Sequence, residues 1–244
     1  MDDEAVVLET PDETVVETPQ EVVYYDAKGR EPRISQKEAE ENIRRYFDNA
    51  EVDEHGKKKG YDWYKVEHEH VARAARAAGT DPETFAAITS VASANNKWEN
   101  TIPTAQRIVT SSKLHADKDI SFVDDMPDPG YMRTFVKQGW RIHRGEDPAQ
   151  VLGDKKRYNF YHNLADPEGT EDMVTVDRWM HRAILGGRNA TNAEKSYFQV
   201  GGYDWAADVI RNVAKEVGYT PQELQAIVWV EIIRKTPKVI GKQK

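Results

Sequence analysis

Gly60-Tyr61-Asp62-Trp63 recurs as Gly202-Tyr203-Asp204-Trp205, and the two copies open the same succession. Each leads into a helix-patterned stretch, then a glycine (Gly79, Gly218), a proline-led cap (Asp81-Pro82-Glu83, Pro221-Gln222-Glu223) and an apolar run built on Ala-Ile. Glycine accepts the left-handed residue that stops a helix, and proline is pre-set for the first turn of the next one. Each copy therefore spells a helical hairpin that starts with an aromatic anchor. Two copies are too few for a solenoid. An earlier helix is announced by Ser35 and Glu38, spaced as a capping box, with Ile43, Tyr46 and Phe47 following on one helical face. Alternation with a period of two is confined to residues 173–176. The expectation is an all-α body.

Residues 1–32 break this pattern. They repeat Val-Glu-Thr-Pro themes, and residues 1–26 carry nine Asp or Glu with no Lys or Arg. Such a segment buries too little apolar surface to offset its ordering entropy, so a disordered acidic tail is expected, with one helical domain over residues 33–244. Residues 1–26 account for more than the whole net charge of −8, which leaves the rest of the chain close to neutral. An acidic total is then no argument against a nucleic-acid partner. There are no cysteines. Disulfides, thiolate metal sites and cysteine nucleophiles are thereby excluded, as suits a reducing compartment. The start, MDDEAVV, lacks the basic and apolar regions of a secretory signal, and no apolar run approaches the roughly 20 residues of a membrane span. A cytoplasmic protein with no membrane partner is expected.

The chemistry concentrates in residues 151–182. A Gly153-Asp154 turn meets Lys155, Lys156 and Arg157, followed by an aromatic helix with Tyr158, Phe160 and Tyr161. A polar loop then leads to Val174-Thr175-Val176-Asp177, which delivers one carboxylate to the mouth of a helix carrying Arg178, Trp179, His181 and Arg182. Positive side chains and the free N–H groups of a tight helical turn hold phosphates, and aromatic rings stack on an extruded base. The plain alternative is that Asp177 is an ordinary helix N-cap and the lysines are solvated. His68-Glu69-His70 is no chelate, because helical residues two apart face opposite ways, and no metal or cofactor is expected.

In order along the chain, three segments resemble the helix-hairpin-helix DNA glycosylase superfamily, in its divergent tailed-phage branch. The first is Phe85-Ala86-Ala87-Ile88-Thr89-Ser90, with Trp98, Asn100 and Ala105 beyond. The second is Leu152-Gly153-Asp154-Lys155-Lys156, with Asn159, Phe160 and Asn163. The third is Val174-Thr175-Val176-Asp177-Arg178, with Arg182. Residues 221–234, with Gln225, Trp229 and Arg234, are similar to the same phage proteins, and the likeness spans roughly residues 60–235. The chain departs from the family in keeping one hairpin glycine, in having Trp179 where the family has a histidine, and in lacking a cysteine cluster.

The resemblance implies a two-lobed helical bundle that binds duplex DNA and flips a base into a pocket. It implies Asp177 and Lys156 as catalytic residues. Gly153, Lys155, Lys156, Arg157, Arg178 and Arg182 are then the DNA contacts, and Ser90, Trp98, Asn100, Asn159, Trp179 and His181 the base pocket. The reaction implied is glycosylase-like base processing. Two alternatives stand beside it: transfer of a free amino acid or amine onto an activated thymine in phage DNA, as proposed for some relatives that make hypermodified thymine, and DNA binding without catalysis. A phage-encoded chain would act in the host cytoplasm.

Overall fold

The computed structural model describes residues 34–200 and 202–236; the acidic segment of residues 1–32 lies outside them. The described residues are all-α, with one isolated antiparallel bridge, Val52 to Lys58, and no strand. The helices in chain order are α1 (Gln36–Asn49), α2 (Trp63–Ala78), α3 (Pro82–Ala92), α4 (Trp98–Leu114), α5 (Phe122–Asp125) and α6 (Arg133–His143). They continue with α7 (Pro148–Leu152), α8 (Lys155–Ala165), α9 (Arg178–Ile184), α10 (Asn192–Val200), α11 (Gly202–Val217) and α12 (Pro221–Lys235).

The helix ends follow the punctuation of the sequence. Ser35 Oγ accepts from the N–H of Glu38, Asp81 caps α3, and Thr220 with Glu223 closes a reciprocal capping box on α12. Gly79 ends α2 and Gly218 follows α11, both with left-handed φ near +70°. The two hairpins, α2–α3 and α11–α12, are thus built alike.

They sit in two different apolar cores. One gathers around α3, whose Phe85, Ala86, Ala87, Ile88, Val91 and Ala92 are fully buried among α2, α4, α6, α7 and α8. Alanines on several faces let neighbouring helices approach α3 closely from all sides. The second core joins α1, α9, α10, α11 and α12 around Trp205, Ile210, Leu224 and Ile227. Helix α12 belongs to both, since Ala226 faces the first core while Leu224, Ile227 and Val228 face the second. The two echoed tryptophans diverge accordingly: Trp205 is buried in the second core, whereas Trp63 stands at the junction of the two lobes.

Residues 173–176 form neither helix nor strand. Their backbone groups still need partners, and side chains supply them. Asn159 Nδ2 and the Tyr203 hydroxyl both donate to Val174 O, at 2.9 and 2.7 Å. Asn163 Nδ2 donates to Met173 O, and the N–H of Val176 donates to the Tyr203 oxygen. This side-chain clamp holds the segment that ends in Asp177. None of the described helices is long and apolar enough to cross a membrane.

Candidate active site

The two lobes enclose a cavity of about 300 Å³. One wall is aromatic. Trp63 lies 5.0 Å from Trp98 and 5.3 Å from Trp229 between ring centroids, with Phe160 packed behind them. A second wall is polar backbone and amide, Ser93 to Asn96, where helix α3 unwinds before α4. Asn95 there has φ of +57°, the one non-glycine residue with positive φ among the described residues. Strain of this kind concentrates at ligand-binding positions. The rim carries Lys156, Arg157, Arg178 and Trp179.

The Asp177 carboxylate opens on this cavity from the α9 side. Its Oδ1 accepts from the N–H groups of Trp179 and Met180 at 2.9 and 3.0 Å, which makes it the N-cap of α9. Both readings of the sequence therefore meet in one residue: Asp177 is a cap, and it faces a cavity. Protein surrounds it on every other side, and this burial pushes its pKa up. The two backbone donors, the charge of Lys156 and the Trp229 side chain pull against that shift without cancelling it. Lys156 is half-buried and lines the same cavity, with no acidic partner within 4 Å among the described residues.

Beneath the aromatic wall runs a buried polar network. Gln222 Nε2 donates to Asn163 Oδ1, Asn163 Nδ2 donates to Thr175 Oγ1, and the Tyr64 hydroxyl donates to Gln225 Oε1 at 2.7 Å. Burial pushes the Tyr64 phenol up to about 12, so it stays protonated and remains a donor.

Of the residues singled out in the sequence, Lys156, Arg157, Arg178, Asp177, Trp98 and Trp179 converge on the cavity. Gly153 makes the left-handed turn between α7 and α8, with φ of +68°. Arg157 is tied down, its guanidinium bonded to Asp154 at 2.6 Å and to Gln138 at 2.8 Å. Lys155 is exposed and paired with Asp204 at 2.6 Å. Arg182 donates to Gly187 O and lies over the Trp179 ring.

Four expected pocket residues lie elsewhere. Ser90 is fully buried and donates to Arg157 O at 2.7 Å, stapling α3 to α8. Asn100 is exposed on α4 and does not line the cavity. Asn159 serves the clamp on Val174. His181 stacks on Phe198 at 4.0 Å with its Nε2 buried and unpartnered, and burial drives its pKa down to about 3. It is a neutral wedge in the second core, because the turn of helix from Asp177 carries it behind the pocket floor. Thr175, from the segment that ends in Asp177, joins the site as well, and Tyr64 joins it from a position that no motif marks.

The family model described as "Family of unknown function (DUF7178)" matches residues 27–237, which covers both lobes and the cavity. No curated protein and no solved structure matches the chain.

Proposed function

We propose that this chain, which belongs to the DUF7178 family, is a DNA-acting, base-processing enzyme of glycosylase type. The observation that carries the reading is the convergence of Asp177 and Lys156 on one aromatic-walled cavity between two helical lobes. A flat ring extruded from duplex DNA stacks against the wall formed by Trp63, Trp98 and Trp229. The rim cations Lys156 and Arg178 neutralise the phosphates on either side of the extruded nucleotide.

The carboxylate of Asp177 then faces the sugar carbon of that nucleotide. As the bond from sugar to base breaks, positive charge develops on the sugar, and a carboxylate already fixed by two backbone N–H groups stabilises it without reorganising. Desolvation strengthens the interaction, since the competing solvent has been removed before the charge appears. Water completes the substitution at the sugar carbon. The amine of Lys156 sits on the same cavity and is the second candidate nucleophile.

The test is to incubate the wild-type protein and Asp177→Asn with DNA from the chain's own source and with duplexes of ordinary bases. Free bases and nucleosides are followed by mass, and borohydride is added in parallel to trap a lysine adduct. Free base from the wild type alone supports the reading. A heavier nucleoside in place of free base moves the reaction to transfer of an amine onto the base. Absence of both products with every DNA would sink the enzyme assignment.

A further inference from the structure

Gln225 is 3% exposed, lies on α12 and lines the cavity. Its Oε1 is taken by the Tyr64 hydroxyl, while its Nε2 has no hydrogen-bond partner among the described residues. That nitrogen is not among the fully buried unpartnered atoms, so it keeps access to the cavity, where an occupant can accept from it.

Acceptors that cannot donate orient the neighbouring amides of the network. The backbone oxygen of Met173 only accepts, so Asn163 must present its Nδ2 to it, at 3.1 Å. That leaves Asn163 Oδ1 to accept from Gln222 Nε2 at 3.0 Å. Asn163 Nδ2 also donates to Thr175 Oγ1. The Tyr64 hydroxyl donates to Gln225 Oε1 at 2.7 Å. That bond takes the Gln225 oxygen and leaves its NH₂ for the cavity. One helical turn further along α12, Trp229 presents the stacking face beside it.

We infer that Gln225 is the specificity-determining residue of the cavity, and that the occupant is a heterocycle presenting a keto oxygen to its NH₂. An exocyclic amino group at the same point would set donor against donor. Rings that differ only by keto and amino groups are thereby separated: uracil from cytosine, or hypoxanthine from adenine. Tyr64 acts as a positioning residue, since it holds the amide in the one orientation that makes this distinction. The inference rests on the base-pocket reading above and adds to it which edge of the base is read.

The experiment uses the full chain and duplexes that carry one uracil, cytosine, hypoxanthine or adenine opposite an abasic site. Affinity is measured by anisotropy. Entry of the ring is followed by quenching of tryptophan fluorescence, which the wall of Trp63, Trp98 and Trp229 makes sensitive to occupancy. The wild type is expected to favour the keto ring over its amino partner by roughly tenfold to a hundredfold, the range of one good base contact. Gln225→Met should bring both rings to the weaker value. Tyr64→Phe frees the amide to rotate, so it should abolish the preference while quenching persists for both rings. Folding of each variant is checked by circular dichroism. Quenching without a keto preference, or a preference that survives in Gln225→Met, overturns the inference and leaves the base pocket standing. No quenching by any ring overturns the base pocket, and this inference with it.

Discussion

In the proposed function Asp177 has two jobs, cap and catalyst, that respond oppositely to substitution, and a pair of variants separates them. Asp177→Asn keeps an oxygen for the N–H groups of Trp179 and Met180, and Asn caps about as well as Asp. What it removes is a charge that burial disfavours, as the raised pKa records. Its new amide turns toward the Trp229 side chain, forfeiting the smallest of the contributions that held the carboxylate down. The net expectation at pH 7 is a fold more stable than wild type.

Asp177→Ala removes the charge and the cap together. The difference between the Asn and Ala variants therefore isolates the cap, worth about 1 kcal/mol. For a body of this size that is roughly 2–4 °C in Tm. The order of melting temperatures should be Asn above wild type, with Ala a few degrees below Asn.

The pH dependence has a definite sign. A carboxyl whose folded pKa is raised above 3.8 stabilises the fold when protonated and loses that contribution as pH rises through the folded value. The advantage of Asp177→Asn should thus be full at neutral pH and vanish toward pH 3.8, where wild-type Asp177 is itself neutral. Catalysis should move the other way. Losing a pre-organised charge costs about a hundredfold to a thousandfold in rate. Thermal melts between pH 4 and 7, run beside the product assay by mass, read both effects. An Asn variant that melts below wild type at pH 7, or one that keeps wild-type activity, refutes the reasoning.

Two further outcomes are expected. The His181 pKa is depressed from 6.5 to about 3, so acid destabilises the fold, by up to about 1.4 kcal/mol per pH unit below 6.5. His181→Phe keeps a ring on Phe198 and should flatten Tm between pH 6.5 and 5; an unchanged slope would mean that the ring protonates in place. A Cβ on Gly139 would lie 2.4 Å from Ile108 Cγ2, so Gly139→Ala should destabilise by about 1–3 kcal/mol despite the better helix propensity of alanine. Ile108→Ala should then cost less in that background than alone, and strictly additive losses in urea melts would count against the contact.

How much of this was legible in the sequence differs between elements and site. The caps at Ser35 and Asp81, the stops at Gly79 and Gly218, and the turn at Gly153 are local, and the helices begin and end by them. A cap is decided by neighbours within four residues, so a one-dimensional reading reaches it. The same holds for Asp177 as a cap, and for the placement of Lys156 at the start of α8. The run of residues 173–176 was visible as an interruption of helix, but its partners were not, because they are side chains from α8 and α11.

Side-chain direction in the assembled fold was beyond reach of the sequence. Ser90, Asn159 and His181 carry plausible pocket chemistry, yet their hydrogen bonds and stacking point into the interior, and Asn100 faces solvent. Tyr64 and Gln225 stand 161 positions apart in the chain, and only the packing of α2 against α12 makes them one device. Local chemistry determined where helices start and stop. Which faces of those helices enclose a cavity was decided by how two cores close around the shared helix α12, a long-range packing outcome that no window of the sequence contains.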